Sequence, residues 1–270
     1  MPIAKIDGQS LHYVDKGQGF PVLLGHSYLW HSTMWQPQIN DLSQRYRVIV
    51  PDLWGHGQSG PLPGQTSSLA DLSRQALSLL DKLGIQQCAL VGLSVGGMWG
   101  TELALQAPGR IRCLVLMDTY LGPEPAPSQA QYLAMFDQIQ QMGVVVPPLL
   151  DMIVPLFFNP AGDAASPIRA AFRQELAALS PERLRDSILP LGRIIFRRDD
   201  LRPRLAELDR ARTLLLTGDR DIPRPPSETQ EMADIIGCEA VLVPDAGHIS
   251  NLENPAFVTE TLLAFLGKHC

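Results

Sequence analysis

Cys88-Ala89-Leu90-Val91-Gly92-Leu93-Ser94-Val95-Gly96-Gly97-Met98-Trp99-Gly100-Thr101-Glu102-Leu103 is the stretch whose reading decides the fold. Its first four residues are an all-apolar run ending on Gly92, the pattern of a strand buried on both faces. The residues after Ser94 read as a helix to about Ala107, where Pro108-Gly109 ends it. A strand that turns sharply into a helix is half of a βαβ unit. Serine stands at the turn, and the glycines on either side leave room where side chains would clash.

The same alternation continues outward. Upstream, Ile3 to Asp7 and Leu11 to Val14 flank Gly8-Gln9-Ser10 and read as an opening hairpin. Pro21 to Leu24, ending in Gly25, and Tyr46 to Val50, ending at Pro51-Asp52, read as buried strands. Ser68 with Asp71 three residues on opens a helix. Leu69, Leu72, Ala76, Leu79, Leu80 and Leu83 form its apolar stripe, and Gly84 stops it. Downstream, Ile111 to Met117 is a further strand. After Asp118 the pattern breaks. From Leu121 to about Asp209 no such strand recurs, prolines are frequent, and Ser166-Pro167 and Ser180-Pro181 read as helix starts. Its charges are roughly balanced and do not advertise an anionic substrate. The βα pattern resumes with a strand over Thr213 to Thr217, a helix over Pro226 to Ile236 and a strand over Ala240 to Val243. A closing helix runs over Pro255 to Leu266, with Asn254 as its N-cap. The expectation is an α/β fold: a mostly parallel central sheet with helices on both faces, residues 1–120 and 210–270 forming the core and 121–209 an inserted helical cap.

Bulk properties narrow the function. With 270 residues, 45% of them hydrophobic, the chain can bury a large core. A net charge of −6 and a pI of about 5.5 give no sign of a nucleic-acid or polybasic membrane footprint, and neither partner is expected. Cys88, Cys113, Cys238 and Cys270 are scattered, without metal-ligand spacing, and Cys88 and Cys113 read as buried reduced thiols. The N-terminal residues lack the apolar run of a signal peptide, and no stretch reaches membrane-spanning length. A cytoplasmic protein acting on a small molecule is expected.

Ser94 at such a turn is a candidate acyl-transfer nucleophile, which needs a base to take its proton and donors for the oxyanion. Gly-x-Ser-x-Gly arises by chance about 0.1 times in a chain of this kind, so its setting carries the weight. Among the histidines, His248 follows a predicted strand within Pro244-Asp245-Ala246-Gly247-His248, beyond the sheet's strand ends. His12, in the hairpin, and His269, at the end, read as solvated. Asp219 and Asp221, directly after the strand Leu214-Leu215-Leu216, are the two candidates to orient the imidazole. The order Ser, Asp, His is that of a triad built on a doubly wound sheet.

With these motifs the sequence resembles the α/β-hydrolase superfamily over nearly its whole length except the cap. Gly92 to Gly97 is similar to that family's nucleophile elbow, and Asp52-Leu53-Trp54-Gly55-His56-Gly57-Gln58-Ser59 to its Asp-x-x-Gly-x-Gly-x-Ser turn, in which His56 is a structural residue. Gly218-Asp219-Arg220-Asp221 resembles the acid motif, whose second Asp usually acts. The resemblance therefore implies Asp221, with Asp219 as the alternative. Gly247-His248 with Asn254-Pro255 resembles the histidine motif. The usual His-Gly pair is replaced by Gly25-His26, and the resemblance implies oxyanion donors at the Ser27 and Val95 N–H groups. His26 is either a substitute structural residue or faces the pocket. Serine at the elbow argues against haloalkane dehalogenases and epoxide hydrolases, which use aspartate there.

The implied activity is hydrolysis of a small or medium apolar carboxylic ester, with no metal or organic cofactor needed. A lactonase, a carbon–carbon bond hydrolase, a cofactor-free perhydrolase and a non-catalytic ligand receptor are the alternatives. Trp30 and Trp99 are candidates either to line the acyl pocket or to fill the core. The apolar runs Val144 to Leu150 and Leu156 to Phe158 are candidates for a lid or for the cap's own core.

Overall fold

The computed structural model describes residues 2–270. Its strands are β1 (Ile3–Ile6), β2 (Gln9–Lys16), β3 (Pro21–Gly25), β4 (Arg47–Pro51), β5 (Cys88–Leu93), β6 (Ile111–Met117), β7 (Thr213–Gly218) and β8 (Glu239–Val243). They form one eight-stranded sheet in the order β1-β2-β4-β3-β5-β6-β7-β8. β1 pairs antiparallel to β2 and β2 to β4; every pairing from β4 through β8 is parallel. The helices are α1 (Gln36–Leu42), α2 (Leu69–Lys82), α3 (Val95–Gln106), α4 (Ala126–Met142), α5 (Pro147–Ile153) and α6 (Pro167–Ala177). Then follow α7 (Pro181–Arg183, continuing into a π turn Leu184–Ile188), α8 (Leu189–Phe196), α9 (Pro226–Ile236), α10 (Ser250–Glu253) and α11 (Pro255–His269). Helices cover both faces of the sheet, and α4 to α8 all lie between β6 and β7. Among the described residues no helix is long and apolar enough to cross a membrane.

The all-apolar runs become the sheet centre: every residue of β5 and of β7 is buried. β8 is different. It is the edge strand, and four of its five residues are exposed or half-buried. The opening hairpin turns one residue earlier than its sequence suggests. Ile6 pairs with Gln9, so Asp7 (φ 47°) and Gly8 (φ 81°) make the turn. Two left-handed residues in a two-residue loop match the twist of the flanking strands. The short helix α1 has no counterpart in the sequence reading; with the preceding turn Ser32–Trp35 it fills the link from β3 to β4.

Sheet order places the site. After β3 the chain steps to one side to form β4, then returns to the other side to form β5. The segments leaving the carboxyl ends of β3 and β5 therefore diverge, and a crevice opens between them, the usual ligand position of an open α/β sheet. Gly25 to Tyr28 leave β3 there, and Ser94 leaves β5.

Candidate active site

Ser94 is the residue between β5 and α3, with φ 55° and ψ −120°. That conformation is costly for a residue with a Cβ, on the order of 1–3 kcal/mol, and persists only when the surroundings hold it. Here they do. Ser94 N–H donates to Met117 O at 2.9 Å, and Ser94 O accepts from Thr119 Oγ1 at 2.7 Å. The turn closes so tightly that a Cβ on Gly92 would lie 2.3 Å from Gly96 O, and one on Gly96 2.3 Å from Gly25 O. The glycines thus permit the strand-to-helix reversal and the contact with β3.

His248 Nε2 lies 3.0 Å from Ser94 Oγ, and His248 Nδ1 lies 2.9 Å from Asp221 Oδ2. All three residues are buried. Asp219, the alternative acid, does not reach the histidine: its Oδ1 accepts from Ala246 N–H at 3.3 Å. Asp221 Oδ1 accepts from Arg224 N–H at 3.0 Å, so both carboxylate oxygens are engaged.

A second acid, which the sequence reading passed over as the end of a strand, stands behind this pair. Asp118 follows β6, fully buried. It accepts from Gly218 N–H at 2.8 Å and meets Ser250 Oγ at 2.6 Å, tying the end of β7 to the segment after His248. Burial, and then the nearby Asp221 carboxylate, push its carboxyl well above the usual range.

The remaining histidines are placed by geometry. His26 is fully buried and does not line the cavity at Ser94. Its Nδ1 donates to Ser27 O at 2.7 Å and its Nε2 accepts from Leu53 N–H at 2.8 Å, so it fastens the end of β3 to the loop after β4. His56 Nε2 accepts from Leu29 N–H at 3.1 Å, and Leu29 takes φ 68°. Burial lowers His26 to about 4 and His56 to about 3, so both rings are neutral spacers. His12, expected to be solvated, is buried instead, 2.6 Å from Asp52 Oδ2, because the carboxylate that knits the turn after β4 faces the hairpin.

Of the two N–H groups expected as oxyanion donors, that of Ser27 already has a partner. Ser27 N–H donates to Met34 Sδ at 3.4 Å. Among the described residues, the N–H groups of the next residue, Tyr28, and of Val95 at the start of α3 meet no acceptor.

Ser94 and His248 open into a narrow cavity of about 90 Å³. Its walls come mostly from the segment between β6 and β7: Phe136 and Ile139 of α4, Leu156 and Phe157 of the turn after α5, Leu189 and Phe196 of α8. The Phe157 ring stands edge-on to His248 at 5.6 Å. Of the two apolar cap runs, Val145, Leu156 and Phe157 line the cavity, while Leu149 and Leu150 are buried away from it. Neither Trp30 nor Trp99 lines it. Trp30 stacks on Phe172 at 4.3 Å, and Trp99 is core, packed against Gly25.

Residues 20–148 match the family model of the alpha/beta hydrolase fold. The chain is 31% identical to a hydrolase from Pseudomonas aeruginosa PA01 of known structure, covering 98% of each chain with a TM-score of 0.83. The chain belongs to the α/β-hydrolase fold family. A thermophilic esterase from Thermogutta terrifontis, another structure of the fold, is 28% identical over 100% of each chain, with a TM-score of 0.89. A putative carbamate hydrolase, RutD, from Azorhizobium caulinodans is 29% identical over 99% of each sequence. These α/β-hydrolase relatives support a hydrolase activity for this chain.

Proposed function

We propose that this chain is a serine hydrolase that cleaves a small or medium apolar carboxylic ester through an acyl-enzyme on Ser94. The observation that carries this reading is the continuous Ser94 Oγ, His248, Asp221 relay opening into an apolar cavity. Hydrogen-bonded through Nδ1 to the Asp221 carboxylate, His248 keeps its proton on that nitrogen and presents a bare Nε2 to the serine hydroxyl. Nε2 takes the Ser94 proton as Oγ attacks the acyl carbon. The carbonyl oxygen becomes an oxyanion, received by the Val95 and Tyr28 N–H groups. The imidazolium returns its proton to the leaving alcohol. A water then repeats the sequence on the acyl-enzyme and releases the acid. One oxyanion donor of this kind contributes about 3–4 kcal/mol to the transition state. The cap helices give the substrate its apolar surroundings, and this supports residues 121–209 as a cap serving the core.

Labelling with a fluorophosphonate followed by peptide mass analysis tests the reading. One adduct per chain on Ser94 is expected. Folded protein that takes up none overturns the assignment. Ser94→Ala is expected to lose on the order of 10⁴-fold or more in kcat on 4-nitrophenyl esters while melting as the wild type does.

A further inference from the structure

Away from Ser94, His248 and the Ser27–Tyr28 segment, the cavity is apolar except where the cap rejoins the core. There two guanidinium groups meet. Arg198 follows α8, and Arg224 lies on the loop that carries Asp221; both line the cavity and both are more than nine-tenths buried. They share one carboxylate. Glu124 accepts from Arg224 Nη2 at 2.7 and 2.9 Å and from Arg198 Nη1 at 3.1 Å. Glu124 also accepts from Ser128 Oγ at 2.8 Å, so its lone pairs are taken. Arg198 Nε and Nη1 reach the backbone carbonyls of Gly122 and Ile195, but Arg198 Nη2 and Arg224 Nη1 make no hydrogen bond. Tyr132 of α4 lines the same end, its ring stacked on Phe196 at 4.1 Å, and its hydroxyl has no hydrogen-bond partner among the described residues.

Two buried cations against one fully engaged carboxylate leave the cluster one negative charge short. Glu228 does not supply it cleanly. Its Oε2 lies 3.5 Å from Arg224 Nη1, beyond a good hydrogen bond, and burial pushes its carboxyl up to about 7. Unpaired, buried guanidinium N–H groups are costly, and they ask for an acceptor. Arginine's planar fork is suited to a carboxylate. We propose that Arg198, Arg224 and Tyr132 bind a carboxylate carried by the substrate at the end of an apolar chain remote from its ester. The natural substrate is then a half-ester type of molecule: a neutral acyl group for Ser94, a hydrocarbon stretch against the cap, and an anionic terminus. This deepens the esterase reading and rests on it for the position of the scissile bond. The whole-cap charge balance conceals the feature, since Glu124 and Arg198 are both cap residues.

The test compares monomethyl with dimethyl esters of straight-chain dicarboxylic acids from C4 to C8. Wild type is expected to favour the monomethyl ester by on the order of ten- to a hundredfold in kcat/KM at one chain length, the strength of a charge-assisted hydrogen bond. Arg198→Gln is expected to raise KM for that monomethyl ester by about tenfold or more and to leave the dimethyl ester within about threefold. Tyr132→Phe, which removes only an oxygen, acts in the same direction more weakly. Equal use of both esters at every length overturns the proposal. So does an equal loss on both in Arg198→Gln and Tyr132→Phe, which would make the cluster a latch between cap and core. Calorimetric binding of the two esters to Ser94→Ala reads the carboxylate site without chemistry: preference for the monomethyl ester supports it, and equal binding overturns it. Retained preference with no fluorophosphonate adduct in the wild type would instead remove Ser94 as nucleophile.

Discussion

At the scale of single residues, two aspartates two positions apart in the sequence illustrate how orientation outranks proximity. Asp219 and Asp221 leave the same strand end, but only Asp221 Oδ2 faces His248, at 2.9 Å. Asp221→Asn keeps the shape and removes the charge that fixes the tautomer. It is expected to lower kcat on the order of 10³- to 10⁴-fold, and Asp219→Asn less than tenfold. Steady-state kinetics on one 4-nitrophenyl ester decides between them, and comparable losses would count against the assignment. His56 offers a test by pH. Burial lowers its pKa to about 3, below the unfolded value near 6.5. Between those values the unfolded chain binds a proton that the native ring refuses, so this contribution to stability is full above 6.5 and declines as pH falls. The raised carboxyls of Asp118 and Glu228 act in the opposite sense over part of this range. The difference between wild type and His56→Gln isolates the ring. In urea melts at pH 8, 6.5, 5.5 and 4.5, wild type is expected to lose up to about 1.4 kcal/mol per pH unit relative to the variant below 6.5. A pH-independent difference would refute it.

At the scale of elements, periodicity and apolar runs made the strands legible, because a parallel sheet buried on two faces leaves no room for polar residues. The link between β3 and β4 was not legible: α1 carries Pro37 in its first turn and is too short for a period to emerge. Caps were legible as positions but not as hydrogen bonds. Ser68 and Ser166 look alike in sequence, each opening a helix. In the structure Ser68 and Asp71 form a reciprocal capping box, whereas the Ser166 side chain caps nothing. Ser68→Ala is therefore expected to cost about 1 kcal/mol, and Ser166→Ala to fall within about 0.5 kcal/mol of wild type. Chemical denaturation of the two variants checks this, with equal losses as the contrary result. The candidate site divides in the same way. Ser94, Asp221 and His248 each sit in a local motif and could be read from neighbours in the chain. Asp118, Glu124 and Arg224 owe their roles to partners about a hundred residues away, as Gly218 is to Asp118 and Glu124 to Arg224, and no local pattern marks them.

At the scale of the whole molecule, the inserted segment 121–209 is fastened to both loops that carry Asp221 and His248. Glu124 holds it to the acid loop through Arg224. On the histidine side, Glu253 of α10 accepts from Asn159 N–H of the cap at 2.9 Å and from Gly247 N–H beside His248 at 2.6 Å. Asn159 Nδ2 donates to Asp245 O at 3.0 Å, and Ile249 N–H to Phe157 O at 3.1 Å. Phe157, the wall closest to the imidazole in this segment, is therefore placed by the same knot that places His248. Glu253→Ala removes the acceptor of two half-buried amides, each worth about 1–3 kcal/mol when left unpaired. The cost falls on this junction rather than on the sheet, whose pairings Glu253 does not touch. Hydrogen exchange is expected to accelerate over residues 157–162 and 245–250 and to stay unchanged over β5, β6 and β7. kcat is expected to fall with it, because both the base and its wall loosen. Uniform acceleration would mean that Glu253 serves global stability, and unchanged exchange would mean that the cap stands without it.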